Sequence, residues 1–317
     1  MRHDDIPQLV NSTLSKALSE NASDIYVLPY EEECYVRFRT RGIQQNELTL
    51  GREDGLQFIS RIKVIAGLLT YVTKSAQDGA FDYEGSSIRC SSMPTVHGER
   101  LTLRILNSSN NFEDLEDLGF SDESVKAIRQ MIESRQGMTL LTGATGSGKT
   151  TLMYSLVNEI MKTEPDNSSI ISLEDPVEKL LNGISQVEIN HDLSYQSALK
   201  ASLRQNIKTL FIGELRDKEV VNVALDAALS GHRIISTYHA GDIVSIFSRL
   251  LHTGYEPFLV ASAINGCISL TLEYDHSNNS YKPSAECFVV DDEWRDIIMK
   301  KPGITELRKL ISSRLIS

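Results

Sequence analysis

The residues best suited to chemistry gather at four places in the second half of the chain. Gly143-Ala144-Thr145-Gly146-Ser147-Gly148-Lys149-Thr150 fits the spacing G-x-x-x-x-G-K-[ST]. It follows the apolar run Met138–Leu141 and precedes a helical stretch opening on Thr151-Leu152, so Thr151 joins the binding candidates. Glycines let backbone N–H groups turn inward around phosphate oxygens, and the helix N-terminus adds positive potential. In such a cradle Lys149 reaches the β- and γ-phosphates, and the Thr150 hydroxyl ligates Mg²⁺. The chain has no N-K-x-D sequence to read guanine, so ATP is the expected nucleotide.

Two acidic clusters and one histidine cluster follow. Ile170–Leu173 runs into Glu174-Asp175-Pro176-Val177-Glu178, and Leu210–Ile212 runs into Gly213-Glu214-Leu215-Arg216-Asp217. Carboxylates at strand ends facing a phosphate site can order the waters of Mg²⁺ and orient or deprotonate an attacking water. Most strand-end acids are solvated loop residues or helix caps, the role expected of Asp175 and Asp217. Glu174 and Glu214 each follow an apolar strand directly and are the catalytic candidates. Gly213 stands where P-loop proteins usually place Asp, so Glu214 acts alone or meets the metal through water. Ser236-Thr237-Tyr238-His239 closes the fourth apolar run, Ile234–Ile235. There His239 is expected to sense the γ-phosphate by hydrogen bonding, whereas His232 is open to a structural or a functional reading.

Four short apolar runs alternating with helical stretches predict a parallel sheet with helices on both faces, its polar ligands at the carboxyl ends of the strands. Upstream, Ile6, Leu9, Val10, Leu14 and Leu18 predict a helix over 6–20. Asp24 to Pro29 and Cys34 to Phe38 read as strands paired across Glu31-Glu32-Glu33. Ile59, Ile62, Ile65, Leu68 and Leu69 suggest a second helix, with short strands near 80–83, 88–91 and 101–106. Residues 1–106 therefore read as an α+β domain and 115–317 as an α/β domain. Between them 107–114, rich in Asn and Ser, is the expected linker. Ser121 is a plausible cap for a helix running to about Arg135.

The chain has 317 residues, 41% of them hydrophobic and 24% charged, with formal net charge −11. That composition suits a globular protein with a real core and argues against passive binding to nucleic acid or anionic lipid. Even so, nine of the twelve basic residues up to Asn107 are arginine. Cys34, Cys90, Cys267 and Cys287 are scattered without a C-x-x-C pair, which excludes a compact zinc ribbon and fits reduced thiols. The longest apolar stretch, around Val64 to Val72, is half of a membrane span, and the start Met-Arg-His-Asp-Asp does not read as a signal peptide. A cytoplasmic location is expected.

Taken in order, GATGSGKT, LEDPVE, IGELRD and STYH-AGD resemble the Walker A, Asp box, Walker B and His box of the type II/type IV secretion (pilus) ATPase superfamily. The Gly-Glu form of Walker B is a mark of that family. Ala22-Ser23-Asp24-Ile25-Tyr26-Val27-Leu28-Pro29 is similar to its A-S-D-I-H-x-x-P strand, and Gln77-Asp78-Gly79 and Gly98-Glu99-Arg100 follow its next strands. Tyr26 replaces the usual His, Ala240-Gly241 the usual Thr-Asn, and Asn206-Ile207-Lys208 the usual Asp-Pro-Asp. The chain lacks the four-cysteine zinc insert of many members and looks most like the competence pseudopilus assembly ATPases of the ComGA type, with a pilus-retraction or type II secretion ATPase, or a non-hydrolysing ATP-sensing module, as the alternatives. The resemblance implies a RecA-like P-loop ATPase domain behind a smaller PAS-like α+β domain. It also implies a homo-hexamer at the inner face of the cell membrane, working through an inner-membrane platform protein without direct contact to nucleic acid or insertion into lipid. Arg89 and Arg104 fall on the family's paired arginines, which reach the γ-phosphate from the amino-terminal domain.

Overall fold

The computed structural model describes residues 5–40, 43–106, 114–164, 169–275 and 280–317. They form two compact units, a first that runs through residue 106 and a second built chiefly of the residues from 114 on. Seven of the eight linker residues, 107–113, lie outside the described residues.

The first unit opens with helix α1 (Ile6–Ser19), whose N-cap Asp5 accepts a hydrogen bond from the Gln8 N–H. Strands β1 (Asp24–Pro29), β2 (Glu33–Thr40) and β3 (Ile43–Gly51) follow, then α2 (Arg52–Ile65), β4 (Gln77–Tyr83), β5 (Ser86–Thr95) and β6 (Gly98–Leu106). The six strands make one antiparallel sheet in the order β3-β2-β1-β6-β5-β4. Period-two alternation sends Ile25, Val27, Val36, Phe38, Ile88, Cys90, Leu101 and Leu103 into a core shared with α1 and α2. The intervening positions carry Arg37, Arg39, Arg89, Arg100 and Arg104 on the other side of the sheet. The second helix lies earlier than its spacing predicts. It starts at Arg52 and stops at Ile65, because Gly67, at φ 70°, adopts a left-handed turn after it.

In the second unit a 3-10 turn over Leu115–Leu118 precedes α3 (Asp122–Glu133), which is capped by the Ser121 side chain accepting from the Ser124 N–H as expected. Next come β7 (Gly137–Gly143), α4 (Lys149–Thr163), β8 (Ile170–Glu174), β9 (Ser185–Glu188), α5 (Tyr195–Ser202), β10 (Thr209–Leu215), α6 (Lys218–Leu229) and β11 (Arg233–Tyr238). The rest is α7 (Ile243–His252), α8 (Pro257–Ala263), β12 (Ile264–Asp275), β13 (Ser280–Val289), α9 (Asp292–Met299) and α10 (Ile304–Ser312). The sheet has seven strands in the order β13-β12-β7-β11-β10-β8-β9, rather than the four read from the apolar runs. Six are parallel, and β13 closes one edge antiparallel to β12. Two apolar clusters flank the sheet, one built with α5–α10 and the other with α3 and α4. Helices therefore cover both faces, as the alternation required.

All four cysteines are free and buried. Burial pushes the thiols up, Cys34 to about 11 and Cys90 and Cys287 to about 12. Among the described residues no helix is long and apolar enough to cross a membrane.

Candidate functional site

The carboxyl ends of β7, β10 and β11 open onto a cavity of about 520 Å³ in the second unit. Gly143, Ala144, Thr145 and Lys149 line it from the glycine-rich loop, Glu214 from β10 and His239 from the end of β11. Three sequence clusters thus converge on one space. Gly146, Ser147, Gly148 and Thr150 belong to the same loop and helix start without lining it, and Thr151 is exposed on α4.

The loop needs its glycines for two reasons. Gly143, Gly146 and Gly148 sit at φ 142°, 81° and 94°, where a side chain strains the backbone. At Gly143 a Cβ would also stand 2.4 Å from the Leu270 carbonyl oxygen of β12 and 2.5 Å from Ser147 Oγ. The loop ends at Gly148, the N-cap of α4, where no side chain caps the first turn. Beside that uncapped turn lies the buried Ser147 Oγ, which has no hydrogen-bond partner among the described residues. Lys149 Nζ donates to the carbonyl oxygens of Gly143 and Ala144, both at 2.8 Å. Uncapped N–H groups, an orphan hydroxyl and an ammonium on one loop fit a polyphosphate. Thr150 is in the first turn of α4, next to Lys149.

The two glutamates have different surroundings. Glu174 is buried, and its carboxylate accepts from Tyr154 Oη at 2.6 Å, Ser172 Oγ at 2.6 Å and Gln186 Nε2 at 3.0 Å. It does not line the cavity. Glu214 does, and its Oε2 accepts from Arg216 Nε and Nη2, each at 2.6 Å. The β10–β11 ladder shifts register between Ile212/Ser236 and Leu215/Tyr238. Two residues, Gly213 and Glu214, therefore oppose Thr237 alone, a bulge that re-aims the glutamate. Thr237 Oγ1 fastens it by donating to the Gly213 carbonyl, and Ser236 Oγ donates to that of Ile212 at 2.8 Å. The absence of Asp at 213 has a steric cause, since a Cβ there would meet Tyr195 Oη at 2.8 Å and the Leu173 carbonyl oxygen at 3.1 Å.

His239 is exposed on the cavity wall, and its backbone carbonyl accepts from Arg249 Nη1. His232 is at the other end of β11, away from the residues that line the cavity, with its Nδ1 3.1 Å from the Ala227 carbonyl at the end of α6. Asp217 is the N-cap position of α6, as expected, though its side chain makes no capping bond, and Asp175 is at no helix start. Arg216, Arg249, Tyr195, Tyr154 and Gln186 escaped the sequence reading. Arg216 had a local signal, an acid two residues before it at a strand end, which puts both side chains on one side.

Arg89 and Arg104 are in the first unit, directly opposite each other on β5 and β6. Arg104 also faces Asp24 of β1, which in turn faces Arg39 of β2. Arg104 Nε donates to Asp24 Oδ1 at 3.1 Å, and Ser23 Oγ donates to Oδ2 at 2.9 Å. Across the sheet the row therefore runs Arg39, Asp24, Arg104, Arg89, with the buried Asp24 between two of the arginines.

A match to the family described as type II/IV secretion system protein covers residues 2–310. The type II secretion system protein E of Pseudomonas aeruginosa is 35% identical over 279 residues, 86% of this chain and 55% of that protein. The type IV pilus assembly ATPase PilB of Myxococcus xanthus is 37% identical over 271 residues, 83% of this chain and 47% of PilB. The chain spans about half the length of these two relatives. Among solved structures, the Legionella pneumophila ATPase DotB has the same fold, with TM-score 0.80 and 23% identity over all of this chain and 91% of DotB.

Proposed function

The chain belongs to the type II/IV secretion system protein family, and from that premise we propose that it is an ATPase motor driving assembly of a competence-type pseudopilus. The observation that carries the ATPase reading is the cavity, which brings Lys149 and its loop together with Glu214 and His239. In this reading the loop N–H groups, Ser147 and Lys149 hold the phosphates of ATP, and the RecA-like second unit supplies the whole cradle. Thr150 holds Mg²⁺, which supplies charge neutralisation at the phosphate oxygens. Glu214 orients the water that attacks the γ-phosphorus, and His239 hydrogen-bonds the terminal phosphate. Glu174, held by three donors, shapes the wall behind β10. The PAS-like first unit supplies Arg89 and Arg104, the pair of arginines that answers the γ-phosphate.

The motor works as a homo-hexamer at the cytoplasmic face of the inner membrane, where a platform protein passes its motion to pilin subunits. The relatives at 35% and 37% identity are a type II secretion system protein and a type IV pilus assembly ATPase. Both fit the same site. The absent zinc insert and the Leu115–Phe120 segment favour the competence role. Steady-state phosphate release by the purified chain tests the enzyme, and no release above background refutes it. Deletion of the gene tests the role. Loss of DNA uptake with secretion and surface motility intact is expected, and the reverse pattern assigns the motor to another filament.

A further inference from the structure

A second cavity, of about 560 Å³, adjoins the phosphate cavity, with α5 and the start of α6 in its wall. Among the described residues Glu214 and Arg216 line both cavities, so their ion pair is the partition between them. The two residues lie on one side of the chain at the end of β10, and the bulge at Gly213–Glu214 sets their direction. Both Arg216 donors, Nε and Nη2, converge on a single carboxylate oxygen, Oε2 of Glu214. The Arg216 side chain that holds this acid is 65% exposed, against 18% for that of Glu214. A terminal phosphate is the stronger partner for the guanidinium, carrying more charge and offering paired oxygens to a planar fork.

We propose that Arg216 is a positioning residue that holds Glu214 when no γ-phosphate is present and hands it over when one arrives. A terminal phosphate in the cavity draws the guanidinium off Oε2, and the freed carboxylate orders the attacking water. ADP lacks that phosphate and leaves the pair closed, so the site distinguishes the two nucleotides before any chemistry. The proposal rests on the reading that this cavity hydrolyses ATP.

A double-mutant cycle on the full-length chain tests it, with Glu214→Gln, Arg216→Gln and the double variant melted without nucleotide, with ADP and with adenylyl imidodiphosphate. Without nucleotide and with ADP, the double variant should lose less than the summed single losses, by about 1–3 °C. With the imidodiphosphate the losses should add, because the pair is open. Arg216→Gln should also weaken binding of the imidodiphosphate relative to ADP by about tenfold, the low end for a charge-assisted contact. Arg216→Lys, which keeps the charge, should recover most of that selectivity. Equal coupling in all three states, no coupling without nucleotide, or unchanged selectivity in Arg216→Gln would each overturn the proposal. A parent protein that binds both nucleotides but releases no phosphate overturns the ATPase reading instead, and the cycle still decides the role of Arg216.

Discussion

Gly213 is the position at which this chain departs from the usual P-loop acid, and replacing it by Ala tests why. The added methyl would lie 2.8 Å from Tyr195 Oη, 3.1 Å from the Leu173 carbonyl oxygen and 3.5 Å from the Glu174 Cα. The carbonyl cannot retreat, because Leu173 is locked in the β8–β10 ladder opposite Ile212. The tyrosine hydroxyl must give way, and its ring is packed against the core. Forcing a methyl into such a site costs about 1–3 kcal/mol. For a unit of some 200 residues that lowers Tm by about 2–12 °C. Since the chain has two compact units, the transition to follow is the one that ATP raises. Tyr195→Phe removes the closest obstacle and leaves the 3.1 Å carbonyl contact, so Gly213→Ala should cost about 1 kcal/mol less in that background. Phosphate release should fall at least about tenfold, because Glu214 is the next residue and small misplacements of a catalytic group are costly. Gly213→Ala melting with the parent, or an equal drop with and without the Tyr195 hydroxyl, would refute the reasoning.

Lys149→Ala should abolish phosphate release and weaken ATP binding, since it removes the charge that neutralises the β/γ oxygens; release near the parent rate would remove this loop from the site. Glu214→Gln should keep ATP bound, by equilibrium binding, while stopping release. Glu174→Gln should instead lower Tm, because its amide nitrogen cannot accept from Tyr154, Ser172 or Gln186, a loss of about 1–3 kcal/mol. A stable but inactive Glu174→Gln beside an active Glu214→Gln exchanges the two roles. Arg104→Ala and Arg89→Ala should leave ADP binding intact and cut phosphate release at least about tenfold, and parent rates in both would separate these arginines from the chemistry.

Most elements that carry the site were legible in the sequence, and most strands that escaped it lie at sheet edges. β3 ends the first sheet, and β9 and β13 end the second. An edge strand needs no continuous apolar run, and β3 and β9 show none, while β13 carries one only at its end, Cys287–Val289. β3 is largely exposed along its length, β9 has four residues, and β13 contains Pro283, which an edge tolerates. β12 is different, because it is interior and carries the buried Cys267, Ile268 and Leu270. It begins at Ile264 directly after α8 ends at Ala263, so no turn residue marks the change of period.

The candidate site shows the same division between near and distant causes. Glu174 and Glu214 read alike, each a glutamate directly after an apolar strand, yet they meet opposite surroundings. The partners that bury Glu174 come from Tyr154 on α4 and Gln186 on β9, positions that only the folded sheet brings together. Glu214 keeps its cavity face because its partner is Arg216, two residues away and mostly solvent-exposed. A carboxylate held by the buried Ser172 and the half-buried Tyr154 and Gln186 takes up a proton only at the cost of those hydrogen bonds. One tied by a single exposed guanidinium can be released by any stronger anion that enters. The geometry therefore separates two residues that the sequence left equivalent, and it does so on the strength of their partners rather than on their own identity.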